Sequence, residues 1–235
     1  MRDDLSPIAD LVAARAGDRT GGTVVVGLAG GVSVGKSSFA ASVGAVLDER
    51  HGLSTVVVSS DGFLHPTAVL TEQGMLHRKG YPESYDHAAI EAFLAAVRAG
   101  EPELRVPVYD HLFYDVLPER LVVARPAVLV FEGVNVLHFA ERFDLAVYLD
   151  AAEPDMRRWY VQRVLRLRDE AASVPGAYLH PFRDASEEEV AAMAVGVWET
   201  VNLPNLRDAI EPTRDRAHVV VVKGPDHTVV EIHRR

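Results

Sequence analysis

Lys36 and Ser37 close a glycine-rich run, GGVSVGKSS, that spans Gly30 to Ser38. The run matches G-x4-GK[ST] in full, with a strand-like segment, TVVVGLA, before it and a helical segment after it. Glycine lets the backbone curl so that successive N–H groups of Gly30, Gly31, Val32, Ser33, Val34 and Gly35 face phosphate oxygens. The helix that opens at Lys36, Ser37 and Ser38 adds its positive dipole end. Lys36 supplies a mobile cation for β- and γ-phosphates, and the Ser37 hydroxyl is an oxygen ligand suited to Mg2+. The bland alternative is a glycine turn between strand and helix, which explains neither the full pattern nor both flanks.

Two carboxylates stand where such a loop would need them. Asp61 ends VVVSSD, just after the strand that follows the loop's helix, and Glu132 ends AVLVFEG. Ligands of α/β sheets bind beyond the carboxyl ends of strands, so both acids are placed to face bound phosphates. Asp61 is a candidate base for an attacking hydroxyl. Glu132 is a candidate to hold a metal through water, or to orient Asp61. Either acid alone could simply cap a turn; two beside one phosphate loop make that reading weaker. A third element is the helical stretch MRRWYVQRVLRLRDEA, where Tyr160 and Arg163 share a face. Arg163 is the candidate clamp on transferring charge. Arg157, Arg158, Arg166 and Arg168 are read as solvated surface.

The elements that must position these groups alternate between strand and helix. Strands are predicted over 23–29, 55–59, 104–109, 120–124, 127–131, 145–149, 218–222 and 228–232. Helices are predicted over 8–16, 36–49, 86–98, 155–172 and from about Ser186 to Val201, where Ser-Glu-Glu-Glu forms a capping box. GDRTGG reads as a turn into the core, and Gly224-Pro225-Asp226 as the turn of a closing hairpin. This order predicts a mainly parallel α/β sheet with helices on both faces, in one domain over residues 1–235.

Composition narrows the partners. Lys and Arg number 24 against 34 Asp and Glu, a net charge of −10, which disfavours a polynucleotide partner. There is no cysteine, so disulfides, thiolate metal sites and a cysteine nucleophile are excluded, in keeping with a cytoplasmic location. The 10 histidines include no HExxH pair. The apolar runs are far shorter than the ~20 residues of a membrane span, and MRDDLSPIAD does not read as a signal peptide. No NKxD guanine signature occurs, which weakens a GTPase-switch reading. A small phosphotransferase remains.

In this order behind the phosphate loop, SDGFLHP, KGYPESYD, PVYDHLFYDV, FEGVNVL, WYVQR, and VNLPNL with PTRDRA closely resemble the bacterial type I pantothenate kinases. That family lies within the P-loop kinases that include uridine kinase and phosphoribulokinase, and the likeness runs from about Thr23 to the C-terminus. It implies ATP- and Mg2+-dependent phosphorylation of the primary hydroxyl of pantothenate, the first step towards coenzyme A, and a homodimer. By motif, it implies that Asp61 is the base, that Tyr109, His111, Tyr114, Tyr160, Arg163 and Asn202 line the acceptor site, and that His227 lies near the adenine. Two departures stand out. Aromatic wall positions of the family correspond here to Val164, Leu167, Ala172 and Leu179, with Tyr178 and Phe182 retained. An arginine that meets coenzyme A corresponds to Ala41, so weak inhibition by coenzyme A is expected. Another small hydroxyl compound as acceptor, or a nucleotide-binding regulator without transfer activity, are the alternatives.

Overall fold

The computed structural model describes residues 5–17 and 21–235. Met1–Asp4, at the head of MRDDLSPIAD, and Asp18–Thr20, inside the expected GDRTGG turn, lie outside the described residues.

The chain begins with helix α1 (Ser6–Gly17), strand β1 (Val24–Gly30), helix α2 (Lys36–His51) and strand β2 (Thr55–Ser59). Short helix α3 (Thr67–Glu72) and helix α4 (His87–Ala99) lead to strands β3 (Glu103–Asp110), β4 (Asp115–Ala124), β5 (Val128–Glu132) and β6 (Leu145–Ala151). Helices α5 (Glu153–Ala171) and α6 (Glu187–Val197) precede the final pair β7 (Val219–Lys223) and β8 (Val229–Arg234). Six strands form one sheet in the order β2-β5-β1-β6-β7-β8. All neighbours are parallel except β7 with β8.

The central strands explain themselves chemically. Every residue of β1 and of β5 is buried, as continuous apolar runs must be when helices cover both faces of a parallel sheet. Burying each large aliphatic or aromatic side chain contributes about 1.5–3 kcal/mol, which makes this layer the main source of cohesion. Helix ends follow local rules. Gly52 caps α2 in the left-handed region, Asp86 caps α4 by accepting from Ala89 N, and Ser186 with Glu189 forms the expected capping box on α6.

Two expectations change, and the partners of two predicted strands become clear. The segments 104–109 and 120–124 are strands that pair with each other: β3 and β4 form an antiparallel hairpin separate from the main sheet. The hairpin packs closely on the turn after β2, where a Cβ on Gly62 would lie 2.5 Å from the Pro107 carbonyl. The α-helix expected to reach Val201 stops at Val197, and the chain continues through π-helical turns at Trp198–Asn202 and Leu206–Ile210. Arg168 is not surface. It is 7% exposed, and its Nη1 donates to the Ala185 carbonyl at 2.6 Å. The carbonyl lies near the start of α6, so the buried guanidinium bolts α5 to α6 while Asp169 offsets its charge. A reading of helix faces alone gives no sign of that acceptor.

Candidate active site

Strand register brings the predicted charges to one end of the sheet. Glu132 of β5 pairs in register with Leu28 of β1 on one side and Ser59 of β2 on the other. The phosphate loop begins two residues past Leu28 and Asp61 stands two past Ser59. Both therefore emerge beside Glu132.

The loop is built as its glycines require. Gly35 has φ 88°, and a Cβ there would lie 2.9 Å from Lys223 Nζ. Ser33 also lies in the left-handed region, at φ 62°. Lys36 folds back so that Nζ donates to the carbonyls of Gly30 (3.1 Å) and Gly31 (3.0 Å). Burial lowers the Lys36 pKa, while Glu132 and Asp61 oppose that shift and Arg163 adds to it. Ser37 Oγ donates to Glu132 Oε1 at 2.8 Å. Burial raises the Glu132 pKa, against the pull of Lys36 and the Ser37 hydroxyl. Ser38 is exposed and the Val34 side chain is wholly buried, so Val34 faces the loop only through its backbone.

Asp61 sits at the centre of this field. Its charge acts on Lys36, Glu132, His111, Tyr109 and Tyr114. The Tyr85 hydroxyl donates a long 3.4 Å bond to Asp61 Oδ1. Arg163 is half-buried, forms no ion pair among the described residues, and acts on Lys36, Glu132, His111, Tyr109 and Tyr160. An arginine left unpaired beside phosphate-binding groups is available to a substrate anion.

The β3–β4 hairpin and α5 supply an aromatic wall. Tyr109 meets His111 edge-on at 5.1 Å and Tyr114 at 6.3 Å, and Tyr114 stacks on Tyr178 at 4.6 Å. Asp110 shapes the turn by accepting from Leu112 N and Phe113 N, and Tyr114 takes a left-handed φ of 55°. Burial raises the pKa of Tyr109 and Tyr114, so both stay as hydroxyl donors at neutral pH. Burial and then Arg163 lower that of His111, which keeps its imidazole neutral. Tyr160 stands within hydrogen-bonding reach of the Asn202 amide, which opposes the rise that burial gives the Tyr160 pKa. Val164 and Leu179, expected in the wall, are buried in a second apolar cluster between α5 and α6, with Tyr160, Leu112 and Leu167 packed against it. Tyr178 and Phe182 are exposed.

His227 lies apart from this group, on the loop's other side. It stacks on Trp159 with ring centroids 3.7 Å apart and has φ 67°. Ser33, Tyr114 and His227 are the non-glycine residues in the left-handed region among those described, and each is a site candidate. Strained backbone of this kind costs of order 1–3 kcal/mol and collects at functional sites.

Sequence reasoning missed three residues. Lys223 Nζ donates to the Val34 carbonyl at 2.8 Å and lies 3.5 Å from His227 Nδ1, so it covers the loop from β7. Lys79 is 7% exposed; Nζ donates to Thr67 Oγ1 at 2.8 Å and to the Tyr114 carbonyl, and lies over the rings of Tyr109 and Tyr114. Tyr85 is the third. Lys79 and Tyr85 lie inside the quoted block KGYPESYD and Lys223 just precedes the Gly224-Pro225-Asp226 turn, but their contacts are long-range and no local spacing announces them.

The donor set fits Mg2+ and no softer metal. Ser37 Oγ and Glu132 Oε1 are paired hard oxygens at the loop, and no cluster of three or more His, Cys, Asp or Glu able to hold a metal occurs among the described residues. An ion held by one or two protein oxygens plus phosphate oxygens matches that pattern.

Residues 25–170 match the Phosphoribulokinase / Uridine kinase family. A pantothenate kinase of Rhodopseudomonas palustris is 43% identical over 226 residues, covering 90% of this chain and 71% of that protein. A pantothenate kinase of Rhizobium etli is 42% identical over 226 residues, covering 90% of this chain and 68% of that one. Among solved structures, the D-glycerate 3-kinase of Cryptococcus neoformans superposes with a TM-score of 0.72 at 14% identity, covering 98% of this chain and 99% of that one. The phosphoribulokinase of Rhodobacter spheroides gives 0.52 at 13% identity, covering 86% and 71%. These two establish the shared P-loop kinase fold. With a phosphate loop, two strand-end carboxylates and an aromatic wall on that fold, and with relatives this similar, the chain belongs to the Phosphoribulokinase / Uridine kinase family and groups within it with proteins named pantothenate kinase.

Proposed function

We propose that the protein transfers the γ-phosphoryl group of ATP to the primary hydroxyl of pantothenate, giving 4'-phosphopantothenate and ADP, and that one domain carries both sites. The observation that carries this is the 43% identity to a pantothenate kinase across 90% of the chain. The geometry agrees in kind. Asp61 accepts the proton of the attacking hydroxyl, whose oxygen forms the new P–O bond as the bond to the ADP oxygen breaks. Tyr85 holds Asp61 by one oxygen and leaves the other to the substrate. Lys36 and Arg163 stabilise charge on the transferring group and on the leaving phosphate. Ser37 and Glu132 would hold Mg2+, which when bound neutralises phosphate charge.

Tyr109, His111, Tyr114, Tyr160 and Asn202 present hydroxyl, imidazole and amide groups to a polar amide-alcohol, which suits pantothenate. The loop from Gly30 to Ser38, with Lys223 and His227, holds the nucleotide. Ala41 is exposed on α2 and offers no cation. We therefore expect weak inhibition by coenzyme A. The reading includes a homodimer and a cytoplasmic location; no helix among the described residues is long and apolar enough to cross a membrane.

The test is ADP release with ATP and Mg2+ across pantothenate, pantetheine, uridine, cytidine, ribose and glycerate. A pantothenate-dependent signal that falls about 10²–10⁴-fold in Asp61→Asn supports both reaction and base. Turnover only with another alcohol would replace the acceptor and keep the kinase. Silence across the panel, with ATP bound, would replace the reaction.

A further inference from the structure

The carbonyl of Gly80 accepts two side-chain hydrogen bonds from distant parts of the chain. Asn135 Nδ2, just past the end of β5, donates at 2.7 Å, and Asn205 Nδ2, between the two π-helical turns, donates at 2.9 Å. A carbonyl can only accept, so both amides must turn their NH2 groups inward. Each then leaves its Oδ1 buried without a protein partner, although the residues are 5% and 3% exposed. Two buried amides spent on one oxygen, at the cost of two orphaned acceptors, is an expensive way to hold a loop.

What the loop carries accounts for the expense. Lys79, next to Gly80, reaches Thr67 Oγ1 at the start of α3 and the Tyr114 carbonyl in the hairpin. Tyr85, at the loop's end, reaches Asp61 Oδ1. The loop backbone is laced to the turn that bears Asp61 by His65 N to Ser84 O at 2.9 Å and Asp86 N to Phe63 O at 2.8 Å. On its other side, the Tyr81 hydroxyl donates to the Val201 carbonyl at 3.1 Å, one residue before Asn202. The π-helical turns widen the helix where Asn202 and Asn205 must face inward, a use of π geometry common at functional sites.

We propose that Asn135 and Asn205 are positioning residues. By holding the Gly80 carbonyl between them, they fix the Lys79–Tyr85 loop as a rigid spacer. The spacer sets the distance from the Asp61 turn to the acceptor wall at Asn202 and Tyr109. Neither asparagine touches the reacting atoms. The kinetic consequence rests on the proposed acceptor phosphorylation; the mechanical one does not.

The test compares Asn135→Ala, Asn205→Ala and the double variant with the unaltered protein. Amide hydrogen exchange needs no substrate. Each single variant should speed exchange at His65 and Asp86, which lie on other elements, and the double variant should do so by more than the product of the single effects. That excess arises because one amide partly replaces the other on a shared oxygen. Exchange that changes only around the altered residue, or effects that merely multiply, overturns the proposal. With pantothenate, each single variant should raise the acceptor KM about 3–10-fold per titrated active site, with the ATP KM within about twofold, and the double variant should exceed the product. Loss of active fraction with both KM values unmoved marks simple instability and overturns the positioning role. An unaltered protein that turns over no acceptor rejects the reaction proposed above, while the exchange data still decide the clamp.

Discussion

Ser37 Oγ donates a 2.8 Å hydrogen bond to Glu132 Oε1, tying the first turn of α2 to the carboxyl end of β5. The bond joins residues 95 positions apart. It also places a carboxylate where burial opposes its charge.

Glu132→Gln tests that tension. The amide carbonyl can still accept from Ser37, so the shape survives while the charge goes. Turnover should fall about 10–100-fold and the Mg2+ concentration for half-maximal rate should rise, the scale seen when a group that orients a metal is lost. Stability should move the other way. Burial raises the Glu132 pKa in the folded protein, so the folded state binds more protons than the unfolded one between the ordinary and the raised value. Stability therefore falls as pH rises through that window, and the loss persists above it. At pH 7 without nucleotide, Glu132→Gln should melt higher than the unaltered protein. A lower melting temperature would contradict the assigned cost.

Lys223→Met should weaken nucleotide binding. Lys223 is 8% exposed, bonds the Val34 carbonyl and lies beside His227, on the side of the loop proposed to hold the nucleotide. A buried charge-assisted hydrogen bond contributes about 1.5–3 kcal/mol. The ATP KM should rise about 10–100-fold and the acceptor KM should stay within about twofold. An acceptor-specific effect would place Lys223 in the wrong half of the site.

How far these residues were legible in the sequence follows from the range of the contacts that position them. The phosphate loop is local: Gly35, Lys36 and Ser37 are adjacent, and the strand and helix around them follow from apolar runs and glycine caps. Asp61 and Glu132 are legible one step further out, because a strand end in an α/β sheet points at one edge. The pairing of 104–109 with 120–124 as a separate hairpin packed on the turn at Gly62 is not written in the apolar pattern of either segment. Lys79, Lys223, Asn135 and Asn205 were not legible as site residues. Each is defined by a carbonyl supplied from at least 35 positions away. Arg168 failed for the same reason: its charge suggests solvent, and the carbonyl that buries it belongs to the next helix.

Arg168→Met should destabilise the α5–α6 pair. The substitution keeps the apolar stem but leaves the Ala185 carbonyl without its 2.6 Å donor. An unsatisfied buried acceptor costs about 1–3 kcal/mol. Urea denaturation should show a loss of that size with an unchanged slope. A loss under about 0.5 kcal/mol, the range of ordinary surface changes, would return Arg168 to the surface.

Lys79 gives a pH dependence with a definite sign. Burial lowers its pKa to about 8, against the opposing charges of Asp115 and Asp61. Below that value the ammonium is charged; it holds the Tyr114 carbonyl and lies 4.1 Å from the Tyr114 ring and 5.1 Å from the Tyr109 ring. Above it the amine is neutral, and both the charge-assisted bond and the cation–π attraction weaken. The two tyrosines do not titrate in this range, because burial raises both. The acceptor kcat/KM should therefore fall as pH rises through about 8. Lys79→Arg keeps its charge throughout, so its profile should lose the falling limb near pH 8, even if the bulkier fork lowers the plateau. Lys79→Met should lie low and also lack that limb. A falling limb that survives in both variants would assign the titration to another group.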